Sequence, residues 1–251
     1  MLNAIDMHCH FNHGAPHDTK TNELYLCDND FLKAERKRMG VLAMATSSFS
    51  SVLSNQEVYE ENEYLYKLAQ EDPFIYQWVV VDPRNEKTFE QARYMLKSEK
   101  ALGLKMHPAY HGYKIMEYAD KLFAFANDLG CFLLTHPENE IESSRLADKY
   151  PDMKLINAHL GIVEHVIAME NSKYGNVYTD TSGSLSYRNN VLEYAVKRVG
   201  SDKIFFGTDT YSCAFQRGRV EFADISSEDK ENIFYKNAVR CFPQLQKLFK
   251  Q

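Results

Sequence analysis

The chain has 251 residues, 44% of them hydrophobic and 25% charged, and its formal net charge is −6. This composition is typical of a globular protein, and the acidic balance argues against a broad nucleic-acid-binding surface, which needs clustered Lys and Arg. The longest apolar runs, such as FIYQWVVV, are much shorter than the roughly 20 residues of a membrane helix, and the N-terminus lacks a signal-peptide pattern, so we expect a cytoplasmic protein with a small-molecule partner and no nucleic-acid or membrane partner.

Eight short apolar runs recur along the chain, with charge-rich amphipathic segments between most of them. This alternation predicts strand–helix units and a parallel sheet. In chain order the predicted strands are LNAIDMH, GVLAMATS, FIYQWVVVD, ALGLKMH, CFLLTH, MKLINAH, NVYTDTS and KIFFGTD. The chain length suits one (β/α)8 (TIM) barrel, and no linker or low-complexity tract divides it. We therefore predict an α/β fold in which residues 1–251 form a single barrel domain.

The first predicted strand ends in IDMHCH, with two histidines two residues apart. Because side chains alternate along a strand, Asp6, His8 and His10 are predicted to share one face, and Met7 and Cys9 the other. Two imidazoles on one face can converge on one metal ion. The motif alone leaves the alternative of two packed core histidines open.

Helix signals are clear in three of the segments between and after the strands. EVYEENEYLYKLAQ places apolar side chains on one side and acidic residues elsewhere. KIMEYADKLFAFANDLG ends at Gly130, a favourable C-terminal stop. SSEDKENIFYKNAVRCF starts at Ser226 or Ser227 as the N-cap and is predicted to be the closing helix.

Each predicted strand is followed by polar residues. In a (β/α)8 barrel the C-terminal ends of all eight strands open onto one face, where active sites are built. Five histidines fall at such ends, namely His8, His10, His107, His136 and His159. This regularity favours a metal centre over histidines scattered through a core. The five cysteines are odd in number and contain no C-x-x-C pair, so we expect reduced thiols and no thiolate zinc site.

These motifs, in their order and spacing, resemble the amidohydrolase superfamily, and within it the branch of aminocarboxymuconate-semialdehyde decarboxylase-like enzymes and many uncharacterised metal-dependent hydrolases. The resemblance runs along nearly the whole chain. Its landmarks are IDMHCH, GLKMHP, LTHP, NAHLG, FGTD and the final IFYKNAVRCF. They are specific for superfamily and fold and uninformative about the substrate.

The resemblance implies that one divalent ion is held by His8, His10, His136 and Asp209, with His159 beside it as a further ligand or as a group that orients water. Imidazoles and one carboxylate fit Zn²⁺ best, and they also accept Mn²⁺, Fe²⁺ or Co²⁺. Binding to such an ion lowers the pKa of water to about 7. Asp209 and His159 are therefore the predicted catalytic residues, with Asp209 moving the proton.

The fourth predicted strand offers two more polar side chains, Lys105 and His107, on one face. In some members of the superfamily a lysine of this strand is carbamylated and bridges a second metal. We favour the alternative of a protonated Lys105 that binds a substrate carboxylate or supports the sheet end. His107 is equally compatible with substrate contact and with a hydrogen-bonded position at the sheet end.

Several loop residues beyond the strand ends are further candidates for binding a ligand. They are His13, Arg84, Tyr110, His111, Tyr113 and Arg217. Arg suits two-pronged binding of a carboxylate. Asp6 lies one step deeper than the histidines and is predicted to position an imidazole rather than to bind the metal.

Two reactions compete for this ligand set. The first is hydrolysis, in which a metal-activated water attacks an amide, ester or lactone carbonyl of a small molecule. The alternative is metal-dependent, non-oxidative decarboxylation of an aromatic or muconate-type acid. A noncatalytic barrel is the third possibility, and metal analysis separates it from both. The 16 Tyr and 15 Phe are compatible with a homodimer interface as well as with core packing.

Overall fold

The computed structural model of the chain describes residues 1–11, 29–188, 190–210 and 213–250. Eight strands follow the order β1 to β8, and each pairs in parallel with the next. They are β1 (Ala4–Phe11), β2 (Val41–Ser48), β3 (Ile75–Val80), β4 (Ala101–Met106), β5 (Phe132–Thr135), β6 (Lys154–Asn157), β7 (Val177–Asp180) and β8 (Ile204–Phe205). Every predicted apolar run overlaps one of these strands, which confirms the strand predictions, although β1 and β2 extend beyond their runs to Phe11 and Ser48.

Backbone hydrogen bonds between β1 and the segment after β8 close the barrel. The amide of Met7 donates to the carbonyl of Phe206 over 2.8 Å, and the amides of Thr208 and Asp209 both donate to the carbonyl of His8. The eight parallel strands with interleaved helices confirm the predicted (β/α)8 architecture.

Helices connect the strands and cover the outside of the barrel. They are α1 (Asn29–Arg38), α2 (Phe49–Leu53), α3 (Val58–Glu71), α4 (Glu86–Met95), α5 (Pro108–His111), α6 (Ile115–Asp128), α7 (Glu140–Ala147), α8 (Val163–Glu170), α9 (Val191–Val199), α10 (Cys213–Glu221), α11 (Ser227–Glu231) and α12 (Asn237–Cys241). A π-helical turn at Asn232–Lys236 joins the last two, and 3₁₀ turns lie at Ser184–Tyr187 and Pro243–Phe249.

The three predicted helices lie where their sequence signals place them, as α3, α6 and the helical segment from α11 to α12. Ser226 is the N-cap of α11 and forms a capping box with Asp229. Gly130 follows α6 with a φ of 58°, the left-handed conformation expected after a helix. In the described part of the chain no helix has the length and hydropathy to span a membrane.

An apolar cluster fills the lower part of the barrel. Its buried side chains include Ile5 and Met7 of β1, Trp78 of β3, Phe132 of β5 and Phe205 of β8. Two other clusters pack the outer faces of the strands against the helices. The polar residues that follow the strands therefore lie above a solid core, at one end of the barrel.

The predicted alternation along β1 is wrong at Asp6. Asp6 pairs with Met44 and Cys9 with Thr46, so three steps along β1 match only two along β2. This extra residue shifts the phase of the strand. Met7 consequently packs inside the barrel together with the two histidines that follow, whereas Asp6 faces α1.

Candidate metal and active site

A first group of candidate metal ligands joins β1 to the segment after β8. One ligand atom each of His8, His10 and Asp209 lies within 4.8 Å of the others. The His10 Nε2 atom is 3.2 Å from Asp209 Oδ1. The two histidines are buried and the carboxylate is 20% exposed, so the group lies at the boundary between the barrel interior and the cavity above it.

A second group shares His8 with the first and adds His136 and His159, which follow β5 and β6. The Nε2 atoms of His136 and His159 are 2.7 Å apart. The structure thus assembles all five residues predicted from the family resemblance, as two overlapping triads around His8. Strand ends far apart in sequence supply them, as expected of a barrel active site.

Hydrogen bonds on the outer nitrogens orient the first two imidazoles. His8 Nδ1 lies 2.9 Å from Asp180 Oδ2, and His10 Nδ1 lies 3.1 Å from Ser47 Oγ. With Nδ1 protonated as the donor, each Nε2 carries the lone pair that can bind a metal in place of its present neighbour, Lys105 Nζ for His8 and Asp209 Oδ1 for His10. Burial, assisted by the nearby Lys105, lowers the pKa of His8 to about 3, and burial also lowers the pKa of His10. Both rings are therefore held neutral, which is the metal-binding form.

Asp180 and Ser182 connect His8 to His159. Ser182 Oγ lies 2.9 Å from Nδ1 of each histidine and also donates to Asp180 Oδ1. Burial acts to raise the pKa of Asp180, but the His8 and His159 rings and the Ser182 hydroxyl hold it well below its usual range. The sequence showed these two residues only as polar residues at the end of the seventh predicted strand. Their contact with His8 spans more than 170 positions, and no local signal indicates it.

Asp209 is held in place by a buried charge pair beneath it. Arg36 Nε donates to Asp6 Oδ2 over 2.8 Å, and Asp6 accepts from both the amide and the hydroxyl of Thr208. Arg36 also donates to Thr208 Oγ1 and to the carbonyl of Thr210. Asp6 belongs to neither candidate ligand group, as predicted, but its carboxylate contacts no imidazole nitrogen in the described structure: it accepts from the His8 backbone amide over 3.4 Å and anchors the two residues that flank Asp209.

The Asp209 carboxyl is ionised within this arrangement. Burial acts to raise its pKa, but the adjoining His10 ring and the imidazoles of His159 and His8 hold the pKa well below its usual range. An ionised carboxylate beside neutral imidazoles is the donor set that a divalent transition metal prefers.

Backbone strain is concentrated at the same place. His159, Asp209 and Thr210 have φ values of 69°, 49° and 69°, in the left-handed region that residues other than glycine seldom adopt. Such conformations cost on the order of 1–3 kcal/mol each and occur preferentially at functional sites.

Gly183 makes room for the His159 ring. A Cβ atom at this position would lie 2.3 Å from His159 Nδ1, and its φ is 76°. We expect Gly183→Ala to displace the ring and to lower kcat about 100-fold, which is the scale for misplacing a catalytic group by about 1 Å. Gly200→Ala is the control, because Gly200 has a φ of 77° and a Cβ atom there would have no neighbour within 4 Å. Equal losses of activity in the two variants would show that backbone strain alone is responsible.

Lys105 is fully buried and contacts a candidate ligand directly. Its Nζ atom lies 2.7 Å from His8 Nε2, and burial lowers the pKa of the ammonium to about 7 although Asp209 and Asp180 oppose this. Lys105 does not appear among the described residues that line the cavity above the site. Substrate binding by a protonated Lys105 stays a prediction, and its carbamylation stays the less favoured alternative.

A cavity of about 250 Å³ lies above the candidate ligands. One wall is apolar and consists of Phe49, Val52 and Leu53 from α2. The remaining described lining residues are polar or aromatic, namely His10, His107, Tyr110, His136, His159 and Asp209. The cavity therefore combines an apolar surface with the candidate metal site.

His107 and Tyr110 form an aromatic stack with a candidate ligand. The His107 ring lies parallel to the His136 ring at a centroid distance of 4.1 Å, and its centroid is 4.5 Å from that of Tyr110. Tyr110 is 60% exposed, so its ring is accessible at the cavity mouth. Both residues line the cavity, and their predicted contact with substrate remains open.

The other loop candidates lie elsewhere. Arg84 donates to both Asp82 oxygens and to the His111 carbonyl, and it does not line the cavity in the described structure. His111 is buried against the carbonyl of Ser51.

Tyr113 and Arg217 also lie away from the described lining of the cavity. Tyr113 is buried with the Arg84 guanidinium over its ring. Arg217 contacts the carbonyl of Leu2, before the start of β1, so its predicted place at the pocket rim is wrong. His13 lies outside the described residues.

The residues present fit a divalent metal ion. The ligand atoms of His8, His10 and Asp209 lie within 4.8 Å of one another, as do those of His8, His136 and His159, and the outer nitrogens of His8 and His10 are already bonded. In the described structure the buried Nδ1 atom of His136 has no hydrogen-bond partner.

Metal removal is expected to lower the melting temperature, because an ion that binds only the folded state stabilises it by mass action. At an ion concentration of about 100 Kd the expected loss of Tm is roughly 5 to 10 °C. Differential scanning calorimetry before and after chelation measures this change, with elemental analysis to verify that the metal is gone. An unchanged Tm after complete removal would contradict the prediction.

Comparison with known proteins adds family and fold information. The family model described as Amidohydrolase matches residues 5–244. No protein of curated function matches the sequence significantly.

The chain is similar to several solved structures along nearly its whole length. A dihydroxybenzoic acid decarboxylase from Polaromonas sp. JS666, with bound manganese and the inhibitor 2-nitroresorcinol, is 18% identical with a TM-score of 0.76 over 98% of both chains. A 2,6-dihydroxybenzoate decarboxylase complexed with 2,6-dihydroxybenzoate is 15% identical with a TM-score of 0.78 over 97% of this chain and 100% of that one. The 5-carboxyvanillate decarboxylase from Sphingomonas paucimobilis is 15% identical with a TM-score of 0.73 over 91% of this chain and 87% of that one.

Proposed function

The chain belongs to the amidohydrolase family, as its sequence motifs predicted, and from this premise we propose that it is a metal-dependent decarboxylase of a monocyclic, hydroxylated aromatic acid. The single observation that carries the proposal is the cavity, in which the apolar wall of α2 faces a cluster of imidazoles and one carboxylate. An aromatic ring can pack against the first surface while its polar substituents reach the second. The decarboxylase activities of the three compared structures support this choice over hydrolysis.

The cavity limits the size of the substrate. Its volume of about 250 Å³ suits a single substituted ring. Phe49 lies with its ring centroid 4.8 Å from that of His10, so a ring stacked on the α2 wall would present its substituents to the candidate ligands. Val52 and Leu53 extend this wall without offering a hydrogen bond.

Four residues would hold the ion, namely His8, His10, His136 and Asp209. Asp180 orients the His8 ring, Ser47 orients the His10 ring, and Asp209 lies 3.2 Å from His10 Nε2. When bound, a divalent cation supplies positive charge that orients substrate oxygens and stabilises negative charge developing on them. Burial disfavours the charged forms of His8, His10 and His136 and lowers the pKa of each ring. These three imidazoles are therefore neutral.

His159 is the residue best placed to deliver a proton. Its Nδ1 atom is held by Ser182, so its Nε2 atom points toward the candidate ligands. Decarboxylation breaks the bond between the ring carbon and the carboxylate, leaves the electron pair on the ring carbon and replaces the lost CO₂ with a proton. We assign proton delivery at Nε2 to His159, and Asp209 as the second acid–base group beside it.

Hydrolysis of an amide, ester or lactone is the other reaction that the sequence predicts. It would use the same ligand set, so the ligands alone do not separate the two reactions. The activities of the compared structures favour decarboxylation, and we therefore take it as the primary proposal.

A product assay tests the proposal. Purified protein loaded with Zn²⁺ or Mn²⁺ is incubated with 2,6-dihydroxybenzoate, 5-carboxyvanillate and a set of lactones and amides. We expect CO₂ release from at least one aromatic acid, and loss of that release after chelation. Acid release from a lactone or amide, without CO₂ from any aromatic acid, would instead establish the hydrolase.

Metal identity is part of the same proposal. The donor set suits Zn²⁺, which the sequence favours, and the compared decarboxylase structure from Polaromonas sp. JS666 contains manganese. Elemental analysis of the purified protein, with His8→Ala as the control, distinguishes the ions. Absence of stoichiometric metal from both proteins would favour a noncatalytic barrel.

A further inference from the structure

A second and larger cavity lies at the opposite end of the barrel from the candidate active site. Its volume is about 680 Å³, and Ala101, Phe132 and Lys154, the first residues of β4, β5 and β6, contribute to its lining. The C-terminal residues 240–242 form another side. We call this cavity the basal cleft. Neither the family match nor the proposed function assigns it a role.

The described lining of the basal cleft is strongly cationic. It includes Arg93, Lys97, Lys154 and Arg240 and contains no Asp or Glu. This contrasts with the whole chain, whose formal net charge is −6. A local excess of positive charge in an acidic protein indicates attraction for an anion at this place.

Three of these cations have no carboxylate partner in the described structure. Arg93 lies over the Phe125 ring at 4.6 Å, and Lys154 donates to the backbone carbonyl of Asp152. No ion pair is formed by Lys97 within the described residues. Arg240 alone has a carboxylate partner, with Asp202 Oδ1 at 3.4 Å. Among the described residues, three of the four cations therefore have no carboxylate that competes with a ligand.

The negative C-terminal ends of nearby helices offset part of this positive charge but not all of it. The C-terminal ends of α4, α6 and α12 adjoin the cleft, and each carries about −0.5 of an elementary charge. Together with Asp202 they offset about 2.5 of the four positive charges. The remainder is close in magnitude to the charge of a phosphate monoester at pH 7, about −1.5 to −2.

The rest of the lining is apolar and aromatic. Leu96, Leu102 and Leu129 line the cleft, and the Phe132 and Phe242 rings lie beside one another with centroids 4.6 Å apart. A ligand with only a charged group would leave this surface in contact with water. The lining therefore favours an anion that also carries an apolar or aromatic body.

From this juxtaposition of cations, three of them without a carboxylate partner in the described structure, and apolar side chains we propose that the basal cleft binds a small organic phosphate monoester with an aromatic or apolar body. Arg and Lys are suited to phosphate oxygens because their N–H groups form charge-assisted hydrogen bonds. The inference is independent of the proposed function, since the cleft and the candidate active site share none of their lining residues.

The test uses phenyl phosphate as the probe and metal-loaded full-length protein. Isothermal titration calorimetry compares wild type with the double variant Arg93→Gln/Lys154→Gln and with Lys197→Gln, which removes an exposed charge outside the cleft. We expect saturable binding to wild type, a Kd at least about tenfold weaker in the double variant, and an unchanged Kd in Lys197→Gln. At about ten times Kd, phenyl phosphate should raise the Tm of wild type by about 3 °C or more.

Two further arms locate the binding and define the ligand. Asp209→Asn should bind phenyl phosphate as wild type does, because the active site is not involved, and inorganic phosphate should bind more weakly than phenyl phosphate. The proposal is overturned by absence of saturable binding up to about 10 mM, by equal weakening in Lys197→Gln, or by loss of binding in Asp209→Asn. Equal affinity for the two phosphates would overturn the assigned ligand class. Circular dichroism confirms that each variant is folded.

Discussion

Replacing Asp209 by Asn is expected to lower kcat by about 1000-fold or more, the scale of losing a general acid–base group together with a metal ligand. Asn has nearly the same shape as Asp but neither its negative charge nor its ability to take up a proton. Asn also tolerates the left-handed conformation at this position, where φ is 49°, so the backbone should not be disturbed. The expected loss of kcat therefore comes from removing the negative charge and the proton-accepting oxygen of the carboxylate that faces His10.

Steady-state kinetics on the substrate found by the product assay, together with elemental analysis, measure this effect. Asp224→Asn makes the same chemical change at an exposed position and should retain wild-type activity. If Asp209→Asn keeps a near-wild-type rate at full metal occupancy, Asp209 has no part in proton transfer.

The second large effect concerns stability. Arg36→Met is expected to lower the free energy of unfolding by about 3–5 kcal/mol, because it leaves the buried Asp6 carboxylate without its partner. Arg36 and Asp6 are both fully buried, and their 2.8 Å ion pair lies beneath the segment that carries Asp209. Burial already raises the pKa of Asp6, and the nearby Arg36 opposes that increase. Removing the guanidinium therefore removes the interaction that offsets the cost of burying the charge.

Urea unfolding followed by circular dichroism measures this loss. Arg198→Met is the matched control, since Arg198 pairs with Glu170 at the surface, where both side chains are about 40% exposed and the pair contributes about 0–1 kcal/mol. The double variant Arg36→Met/Asp6→Leu should recover much of the stability, because it removes the uncompensated charge. A loss in Arg36→Met no larger than that in Arg198→Met would show that the pair does not stabilise the fold.

Much of the fold could be predicted from local patterns. Each apolar run, such as FIYQWVVVD, is long enough for one strand and is bounded by residues that favour turns or helix starts. The position of His136 or His159 directly after such a run is enough to place its side chain at the C-terminal end of the barrel. Alternation failed at Asp6 because one extra residue in β1 changes which side chains face inward, and that irregularity depends on how β1 pairs with β2.

The sequence by itself therefore determined the barrel, the family and the candidate ligands, because strand periodicity and short motifs are local properties of the chain. Only the tertiary structure decided which residues support them. Asp180 reaches His8 and Arg36 reaches Thr208 across 172 positions in each case. Contacts at that separation depend on closure of the barrel, which brings β1 beside β8 and next to the end of β7, and no pattern within a single segment encodes them.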